Sequence, residues 1–285
     1  MLWVIRGLWL TLPISVGAAL GDRVTAYDTS ISVTFAIIAY ALWAVGLVAL
    51  LVPRDISFTA LRIVACTPFV SALWAFSAPS TAVGIVSVMH AAIAGVFALS
   101  NFVAAPCADA QSYGDELRVA LRTPPLMLPV TAMAVIVVNV GIAAGPLFIA
   151  NQRYLVGAIA TVLGLACAFV MMRSLHTLSK RFCVFVPAGM AIADSLKLID
   201  PVLLPRDRVI GLVMAPASRA PVNALDTRLG AVVGSLALSL NEPGQFAIRA
   251  DRKQLETVSS SLVLFTPLRP MAFLTTARAR GLIAS

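Results

Sequence analysis

The segment MMRSLHTLSKRF, Met171 to Phe182, divides this chain of 285 residues into two parts of different character. Long apolar runs separated by short polar loops precede it, whereas short alternating apolar segments and turn residues follow it. No acidic residue offsets its basic or nearly basic side chains, Arg173, His176, Lys180 and Arg181. Because Lys and Arg beside a span resist translocation, this cluster predicts the cytosolic end of the last span and a basic membrane surface there.

The composition is typical of an integral membrane protein. Hydrophobic residues make up 60% of the chain and charged residues 12%, with a mean hydropathy of +0.93. In a globular protein about a quarter of the residues are charged. The net charge of +8 is divided equally, +4 on each side of the boundary after Arg181, without a long basic run. We therefore expect no nucleic-acid partner, and anionic lipid headgroups as the partner of the scattered arginines.

Six apolar runs are long enough to cross the bilayer, which takes about 20 residues. The clearest, Ser32 to Val52, has 21 residues and no charge. We predict the spans Trp3–Leu20, Ser32–Val52, Phe58–Phe76, Thr81–Ala104, Leu126–Ala150 and Tyr154–Met172. The uncharged segment Ser77 to Ser80 predicts a tight turn between the third and fourth spans. We favour a retained first span over a cleaved signal peptide, because no convincing cleavage site follows it.

The charges between the spans predict their orientation. Two basic residues, Arg23 and Arg153, fall on the side opposite the N-terminus. Eight fall on the N-terminal side: Arg6, Arg54, Arg62, Arg118, Arg122, Arg173, Lys180 and Arg181. This asymmetry predicts that both termini are cytosolic. Arg outnumbers Lys 18 to 3, as in GC-rich bacterial genomes, so we expect the bilayer in question to be a bacterial cytoplasmic (inner) membrane.

The longest polar stretch before the boundary, Ala105 to Pro125, contains the sequence SYGDELRVALRTPP. A helix start at Ser112 and apolar residues at helical spacing predict a short interfacial helix. Arg118 and Arg122, four residues apart, would then lie on one basic face, toward headgroups or toward the C-terminal domain. A solvated connecting loop is the favoured interpretation, and the short helix is the alternative to it.

The chain after Arg181 has the pattern of a small β domain. We predict a six-helix transmembrane domain over residues 1–181 and a cytosolic domain over residues 182–285. Seven short apolar segments predict strands, and a helix from about Leu268 to Arg280 ends the domain. Asn241 to Gly244 predicts a turn between two strands, and Ala215 to Thr227 predicts a loop.

Seven short strands and one C-terminal helix are the elements of a pleckstrin-homology-like (PH-like) domain. The sequence resembles bacterial, in particular actinobacterial, multi-pass membrane proteins that carry such a domain at the C-terminus. Three stretches carry the resemblance: FCVFVPAGMAIAD at 182–194, LLPRDRVIGLVMAP at 203–216 and TPLRPMAFLTTARARGL at 266–282. The resemblance implies a domain that binds phosphoinositides or peptides, although the first hairpin lacks a dense Lys and Arg signature.

The sequence contains none of the common catalytic motifs. GxSxG, HExxH, Walker A and GxGxxG are missing, and the four cysteines are scattered without metal-ligand spacing. No Asp or Glu falls inside a predicted span, which disfavours a proton-coupled transporter. We therefore expect no catalytic residue, no metal and no cofactor.

Three polar residues of the predicted spans are candidates for a ligand site: His90, Arg62 and Asn139. Ionisable residues inside a membrane are functional hypotheses by default. Bonds to neighbouring helices are the favoured explanation of His90 and Asn139, and snorkelling is the favoured explanation of Arg62.

Two functional hypotheses follow. In the favoured one, a non-catalytic bundle anchors a PH-like module that docks a partner protein or lipid headgroups. In the alternative, the chain is a transporter or an intramembrane enzyme for a lipid-like or amphipathic substrate, bound by His90, Arg62 and Asn139. Small residues four positions apart, such as Gly141 and Gly145, predict tight helix packing and leave a homodimer open.

Overall fold

The computed structural model describes residues 1–76, 81–249 and 255–283. The chain forms two compact units, which we call the membrane unit and the β unit. The membrane unit comprises Met1–Cys107 and Thr131–His176, and the β unit comprises Ala108–Val130 and Thr177–Ser285. The segment 108–130, which the sequence assigns to the membrane domain, thus belongs to the β unit. The predicted turn Ser77–Ser80 lies outside the described residues.

The prediction of a multi-pass membrane protein is confirmed. In the described part of the chain, six helical segments are long and apolar enough to cross a membrane. Their bounds are Leu2–Val24, Thr29–Leu51, Asp55–Phe76, Ala82–Asp109, Met127–Ala150 and Tyr154–Ser179. They match the predicted spans to within a few residues at most of their ends.

Three of these spans are interrupted, two of them near proline. The first consists of α1 (Leu2–Leu10) and α2 (Leu12–Val24), the third of α4 (Asp55–Val64) and α5 (Thr67–Phe76), and the fourth of α6 (Thr81–Ala98) and α7 (Asn101–Asp109). The others are continuous helices: α3 (Thr29–Leu51), α8 (Met127–Ala150) and α9 (Tyr154–Ser179). Proline lacks an N–H and displaces the carbonyl four residues before it, which accounts for breaks close to Pro13 and Pro68.

Glycines bring α8 and α9 into backbone contact. A Cβ atom added to Gly164 would lie 2.2 Å from the carbonyl oxygen of Gly141, and one added to Gly145 would collide with Thr161. Only glycine allows this approach, so the predicted tight packing is confirmed. These small residues are therefore used within the chain, and a homodimer stays a prediction.

The first sheet of the β unit has the strand order β1-β2-β3-β4 and is antiparallel. Its strands are β1 (Leu117–Ala120), β2 (Arg181–Val186), β3 (Gly189–Asp194) and β4 (Val202–Pro205). Strand β1 comes from the segment between the fourth and fifth spans, so the predicted interfacial helix is wrong. Residues 117–120 have alternating character as well as helical spacing, and pairing with β2 decides between them.

The second sheet has the order β5-β7-β8-β6. Its strands are β5 (Val209–Met214), β6 (Ala224–Asp226), β7 (Leu236–Arg249) and β8 (Leu255–Phe265), with β6 parallel to β8. Strand β6 lies in a segment that we predicted as a loop. The predicted turn at Asn241–Gly244 is also wrong, because β7 continues through it with a register shift between Ser239 and Gly244. A bulge accommodates Pro243 and Gly244 without ending the strand.

The two sheets enclose one hydrophobic core, and helix α10 (Pro270–Ala279) packs against it. Phe273 of α10 lies 4.6 Å from Phe185 in the first sheet and 5.3 Å from Phe265 in the second, measured between ring centroids. The predicted β-rich region with a C-terminal helix is confirmed.

The contact between α8 and α9 predicts opposite effects of one substitution at two glycines. We expect Gly164→Ala to lower the thermal unfolding midpoint in detergent micelles, since overpacking costs about 1–3 kcal/mol. Gly7→Ala is the control because nothing lies within 4 Å of the added Cβ, and higher helix propensity gives it an equal or higher midpoint. Equal midpoints for the two variants would contradict the backbone contact.

Candidate functional site

A pair of tryptophans closes the break in the first span. Pro13 has no N–H to donate to the Trp9 carbonyl, and Nε1 of Trp43 donates to that carbonyl at 2.9 Å instead. In return, Nε1 of Trp9 donates to the Trp43 carbonyl, also at 2.9 Å. The Trp9 side chain is fully buried. In hydrocarbon a free carbonyl is costly, so this reciprocal pair both satisfies the break and joins α1 to α3.

Two further contacts hold α1 against α3. Gly46 makes room for the Trp9 ring, because an added Cβ would lie 2.2 Å from a ring carbon. Nε of Arg6 donates to the Leu50 carbonyl at 3.0 Å, in the last turn of α3, where carbonyls lack helical partners. Arg6 therefore caps the C-terminal end of α3, where the helix dipole favours a positive charge.

The two halves of the first span share one neighbour and differ in another. Both pack against α6, but α1 also packs against α3, whereas α2 packs against α5. A cavity of about 340 Å³ lies between α2, α3 and α5. Its walls are mostly apolar, and Pro13, Trp43, Thr67 and Pro68 are among the residues that line it.

His90 of α6 binds the broken first span. Its Nε2 lies 2.9 Å from the Leu8 carbonyl, and its Nδ1 lies 2.6 Å from the Ser15 hydroxyl. A carbonyl only accepts hydrogen bonds, so Nε2 carries a proton, and in the neutral ring Nδ1 accepts from Ser15. Buried Ser87, one turn before His90, donates to the Ser15 carbonyl at 2.8 Å. His90 thus bonds α6 to both halves of the first span.

Asn139 of α8 binds the break in the third span. Its Nδ2 donates to the Ile63 carbonyl at 2.9 Å, next to the end of α4. The adjacent Val64 carbonyl, which Pro68 deprives of its helical donor, accepts from the Thr67 hydroxyl at 2.7 Å. The Asn139 Oδ1 atom is buried and has no hydrogen-bond partner in the described part of the chain.

Arg62 lies in α4 with its guanidinium 4.6 Å from the centre of the Phe58 ring. The hydrogen bonds of His90 go to the first span, whereas Asn139 bonds to the end of α4. None of the three candidate residues lines the cavity between α2, α3 and α5. The geometry gives His90 and Asn139 structural roles at two separate helix breaks.

Arg181 is buried in the β unit, with an exposed fraction of 2%. Its Nε and Nη2 bind the two oxygens of the equally buried Asp194, each at 2.8 Å. The guanidinium also donates to the Arg122 carbonyl and to the Thr227 carbonyl, each at 2.9 Å. The sequence places Arg181 in a basic surface cluster, and this is wrong: its charge is paired inside the fold. Arg173 and Lys180 of that cluster are exposed.

Arg118 and Arg122 hold the segment around β1 in the β unit. Arg122 donates its backbone N–H to the Thr266 carbonyl at 2.8 Å and its side chain to the Val233 carbonyl at 2.9 Å. Arg118 lies over the Phe182 ring at 5.2 Å and within 3.7 Å of Glu116. Both residues contact the protein around them rather than forming one basic face.

Two titratable groups of the β unit have displaced pKa values. Burial raises the pKa of the Cys183 thiol, so the thiol stays protonated at neutral pH. Burial also acts to raise the pKa of Asp226, but hydrogen bonds and charge from Arg228 outweigh it and hold that pKa below its ordinary value. The described residues contain no group of three or more His, Cys, Asp or Glu that could hold a metal ion.

Exposed apolar and basic side chains lie on the segment that connects the last strand of the first sheet, β4, to the first strand of the second sheet, β5. We call this the β4–β5 surface and define it by Leu203, Arg206, Arg208 and Ile210. All four are exposed, Leu203 by 50% and Ile210 by 67%. Arg206 and Arg208 lie in a short 3₁₀ turn between β4 and β5, each of which is at the edge of its sheet.

The roles of Trp9 and Trp43 and the presence of the cavity have no complete local signal in the sequence. Pro13 inside an apolar run signals a helix break, but the donor for the carbonyl it frees comes from residue 43, on another helix. The β4–β5 surface has a local signal, since two arginines stand between Leu203 and Ile210 in one turn segment.

Comparisons with protein-family models, curated proteins and solved structures gave no match for this chain.

The hydrogen bonds of His90 predict a structural role. We expect His90→Ala to lower the thermal unfolding midpoint in micelles, since it leaves the Leu8 carbonyl without this donor, at a cost of about 1–3 kcal/mol. Met89→Ala, on the exposed side of the same helix, is the matched control and should change the midpoint little. A stable His90→Ala variant would contradict the structural role and favour a direct role in binding.

The buried pair of Arg181 and Asp194 predicts a large difference between neighbouring residues. Arg181→Met leaves a buried carboxylate unpaired and should destabilise the β unit by about 3–5 kcal/mol. Lys180→Met removes the same charge from an exposed position and should have little effect. Limited proteolysis of the full-length protein, with cleavage sites mapped by mass spectrometry, measures the stability of the β unit in each variant. Equal resistance of the two variants would refute the buried pair.

Proposed function

We propose that this chain is a six-helix membrane protein whose β unit docks onto anionic lipid headgroups through the β4–β5 surface. The observation that carries the proposal is the exposure of two apolar and two basic side chains within one short segment, which keeps a net charge of +1 although exposed Asp207 lies between the two arginines. Apolar residues that can enter the interface, beside arginines, are the composition that binds anionic membrane surfaces. Each Arg or Lys near such a surface contributes about 1 kcal/mol.

The connection between the two units makes weak docking sufficient. Helix α9 ends at Ser179 and β2 begins at Arg181, so one residue separates the last span from the first strand that follows it. A tether this short gives the β unit a high effective concentration at the membrane. In this proposal the lipid is the cytosolic leaflet of a bacterial cytoplasmic membrane, as expected from the charge asymmetry between the loops.

The resemblance to PH-like domains supports the same role. Two sheets around one core and a C-terminal helix are compatible with that family, in which the domain binds phosphoinositides or peptides. The first hairpin after the last span, β2 and β3, contains Arg181 as its basic residue, and Arg181 is buried. We therefore assign the docking surface to the segment between β4 and β5 rather than to this hairpin.

The alternative function, a transporter or intramembrane enzyme acting through His90, Arg62 and Asn139, has less support. His90 and Asn139 donate to carbonyls at two different helix breaks, and the hydrogen bonds account for their presence in the spans. A protein partner for the β unit is the other alternative, and the experiment below separates it from lipid.

Hydrogen exchange of the full-length protein in nanodiscs tests lipid docking. Residues 202–214 contain edge-strand amides that exchange readily unless something covers them. We expect slower exchange there in phosphatidylglycerol nanodiscs than in phosphatidylcholine nanodiscs, and a loss of this difference at high salt. A fragment that begins at Lys180 is unsuitable because it lacks β1.

The variant Arg206→Ser with Arg208→Ser should abolish the difference between the two lipids. The control, Arg249→Ser with Arg278→Ser, removes the same charge from two exposed positions elsewhere in the β unit and should retain it. Equal exchange of residues 202–214 in both lipids would refute the lipid proposal and favour a protein partner. An equal loss in both variants would show that net charge, and not this surface, directs the binding.

A further inference from the structure

The cavity of the membrane unit has the character of a lipid-binding site. Its volume of about 340 Å³ is at the lower end of the range for small-molecule sites, which is about 300–1,000 Å³. Its lining extends from Pro13, Trp43 and Pro68, which we call the floor, to Thr25 and Ser32, which we call the mouth and which lie at the end of α2 and the start of α3. An apolar space of this form inside a bilayer accepts a hydrocarbon chain at no desolvation cost.

Two hydroxyl groups on the walls have no hydrogen-bond partner among the described residues. Ser32 and Thr67 use their hydroxyls on backbone carbonyls, at 2.8 and 2.7 Å. Tyr40 and Ser71 make no side-chain hydrogen bond to any residue that the structure describes, although both line the cavity. An unsatisfied hydroxyl in hydrocarbon costs free energy, so these two donors favour a ligand with acceptor oxygens at their level.

The two hydroxyls lie at similar depths. The Tyr40 hydroxyl is next to Gly17, since an added Cβ there would lie 3.8 Å from it. Gly17 precedes the end of α2 by seven residues and Ser71 precedes the end of α5 by five. At 1.5 Å per residue, Gly17, and with it the Tyr40 hydroxyl, lies about 10 Å from the end of α2, and Ser71 lies about 8 Å from the end of α5. This is the level at which an ester would lie if its headgroup were at the mouth.

An arginine lies near the mouth. Arg23 is placed over the Trp74 ring at 5.6 Å, and Trp74 packs against Phe35, a wall residue, at 5.3 Å between centroids. Nε of Arg23 is buried and has no hydrogen-bond partner among the described residues. Asp22, in the last turn of α2 beside Arg23, and Asp28, just before α3, are exposed, and neither forms an ion pair with Arg23 within 4 Å in the described part of the chain. A phosphate at the mouth would supply the missing acceptor.

We propose that this cavity binds the acyl chain of a monoacyl anionic phospholipid. The chain fills the apolar space down to Pro13 and Trp43. The ester oxygens accept hydrogen bonds from Tyr40 and Ser71, and the phosphate lies near Arg23. The volume suits one chain, which favours a monoacyl over a diacyl lipid. The site lies wholly in the membrane unit, so it is independent of the docking function proposed for the β unit.

Photolabelling with a lysophosphatidylglycerol that carries a diazirine in its acyl chain tests the site. The full-length protein is labelled in phosphatidylcholine nanodiscs, and labelled peptides are identified by mass spectrometry. We expect saturable labelling of α2, α3 and α5 that unlabelled lysophosphatidylglycerol competes for better than lysophosphatidylcholine. Labelling spread equally over α8 and α9, or equal competition by both lipids, would overturn the proposal.

Gly17→Leu fills the cavity and has a matched control. The added side chain has room at its Cβ, because the closest atoms are 3.8 Å or more away, so the fold should tolerate it. We expect at least a tenfold loss of labelling in Gly17→Leu and none in Gly7→Leu, which lies in the same span outside the cavity. Equal labelling of the two variants would refute the site. A thermal unfolding midpoint equal to that of Gly7→Leu shows that the fold is intact.

Tyr40→Phe gives an independent result that does not depend on filling the cavity. It removes one hydroxyl and keeps the ring, so we expect lysophosphatidylglycerol to bind about two- to tenfold more weakly, the effect of one hydrogen bond. Tyr113→Phe in the β unit is the control and should bind normally. Unchanged affinity in Tyr40→Phe would exclude the proposed hydrogen bond and with it the assigned class of lipid.

Discussion

A backbone carbonyl in the hydrocarbon layer must accept a hydrogen bond, and this constraint governs the membrane unit. Prolines at 13 and 68 withdraw helical donors from the carbonyls of Trp9 and Val64. Trp43 serves the first and Thr67 the second, while His90 and Asn139 serve carbonyls beside the same breaks. The polar residues of the spans are thus largely explained by where the helices break.

The cavity is a consequence of this arrangement. Because the tryptophan pair holds α1 on α3 while α2 continues toward α5 and α6, the first span separates from the second beyond the break. The space between them remains apolar apart from a few hydroxyls. The proline thus creates the demand for a donor at the point where the first span exchanges α3 for α5 as a neighbour while it keeps α6.

In the β unit one buried charge pair joins separate parts of the chain, as the hydrogen bonds at the helix breaks do in the membrane unit. Arg181 joins β2 to β3 through Asp194 and reaches the carbonyls of Arg122 and Thr227. These partners come from segments far apart in the chain, including the connection between the fourth and fifth spans. A buried ion pair is favourable only when the remaining donors also find partners, and two carbonyls supply such partners here. The β unit is therefore a single fold built from two separated segments.

The sequence by itself determined the six spans, the β-rich region and the C-terminal helix, because hydrophobic length and turn residues are local properties. It also located His90 and Asn139 as exceptional residues, though not their bonding partners. The tertiary structure alone decided that residues 117–120 form a strand, that Arg181 is buried, and that Tyr40 and Ser71 face one cavity. Each of these depends on a partner dozens of residues away, and no local pattern specifies which distant group will satisfy a donor or an acceptor.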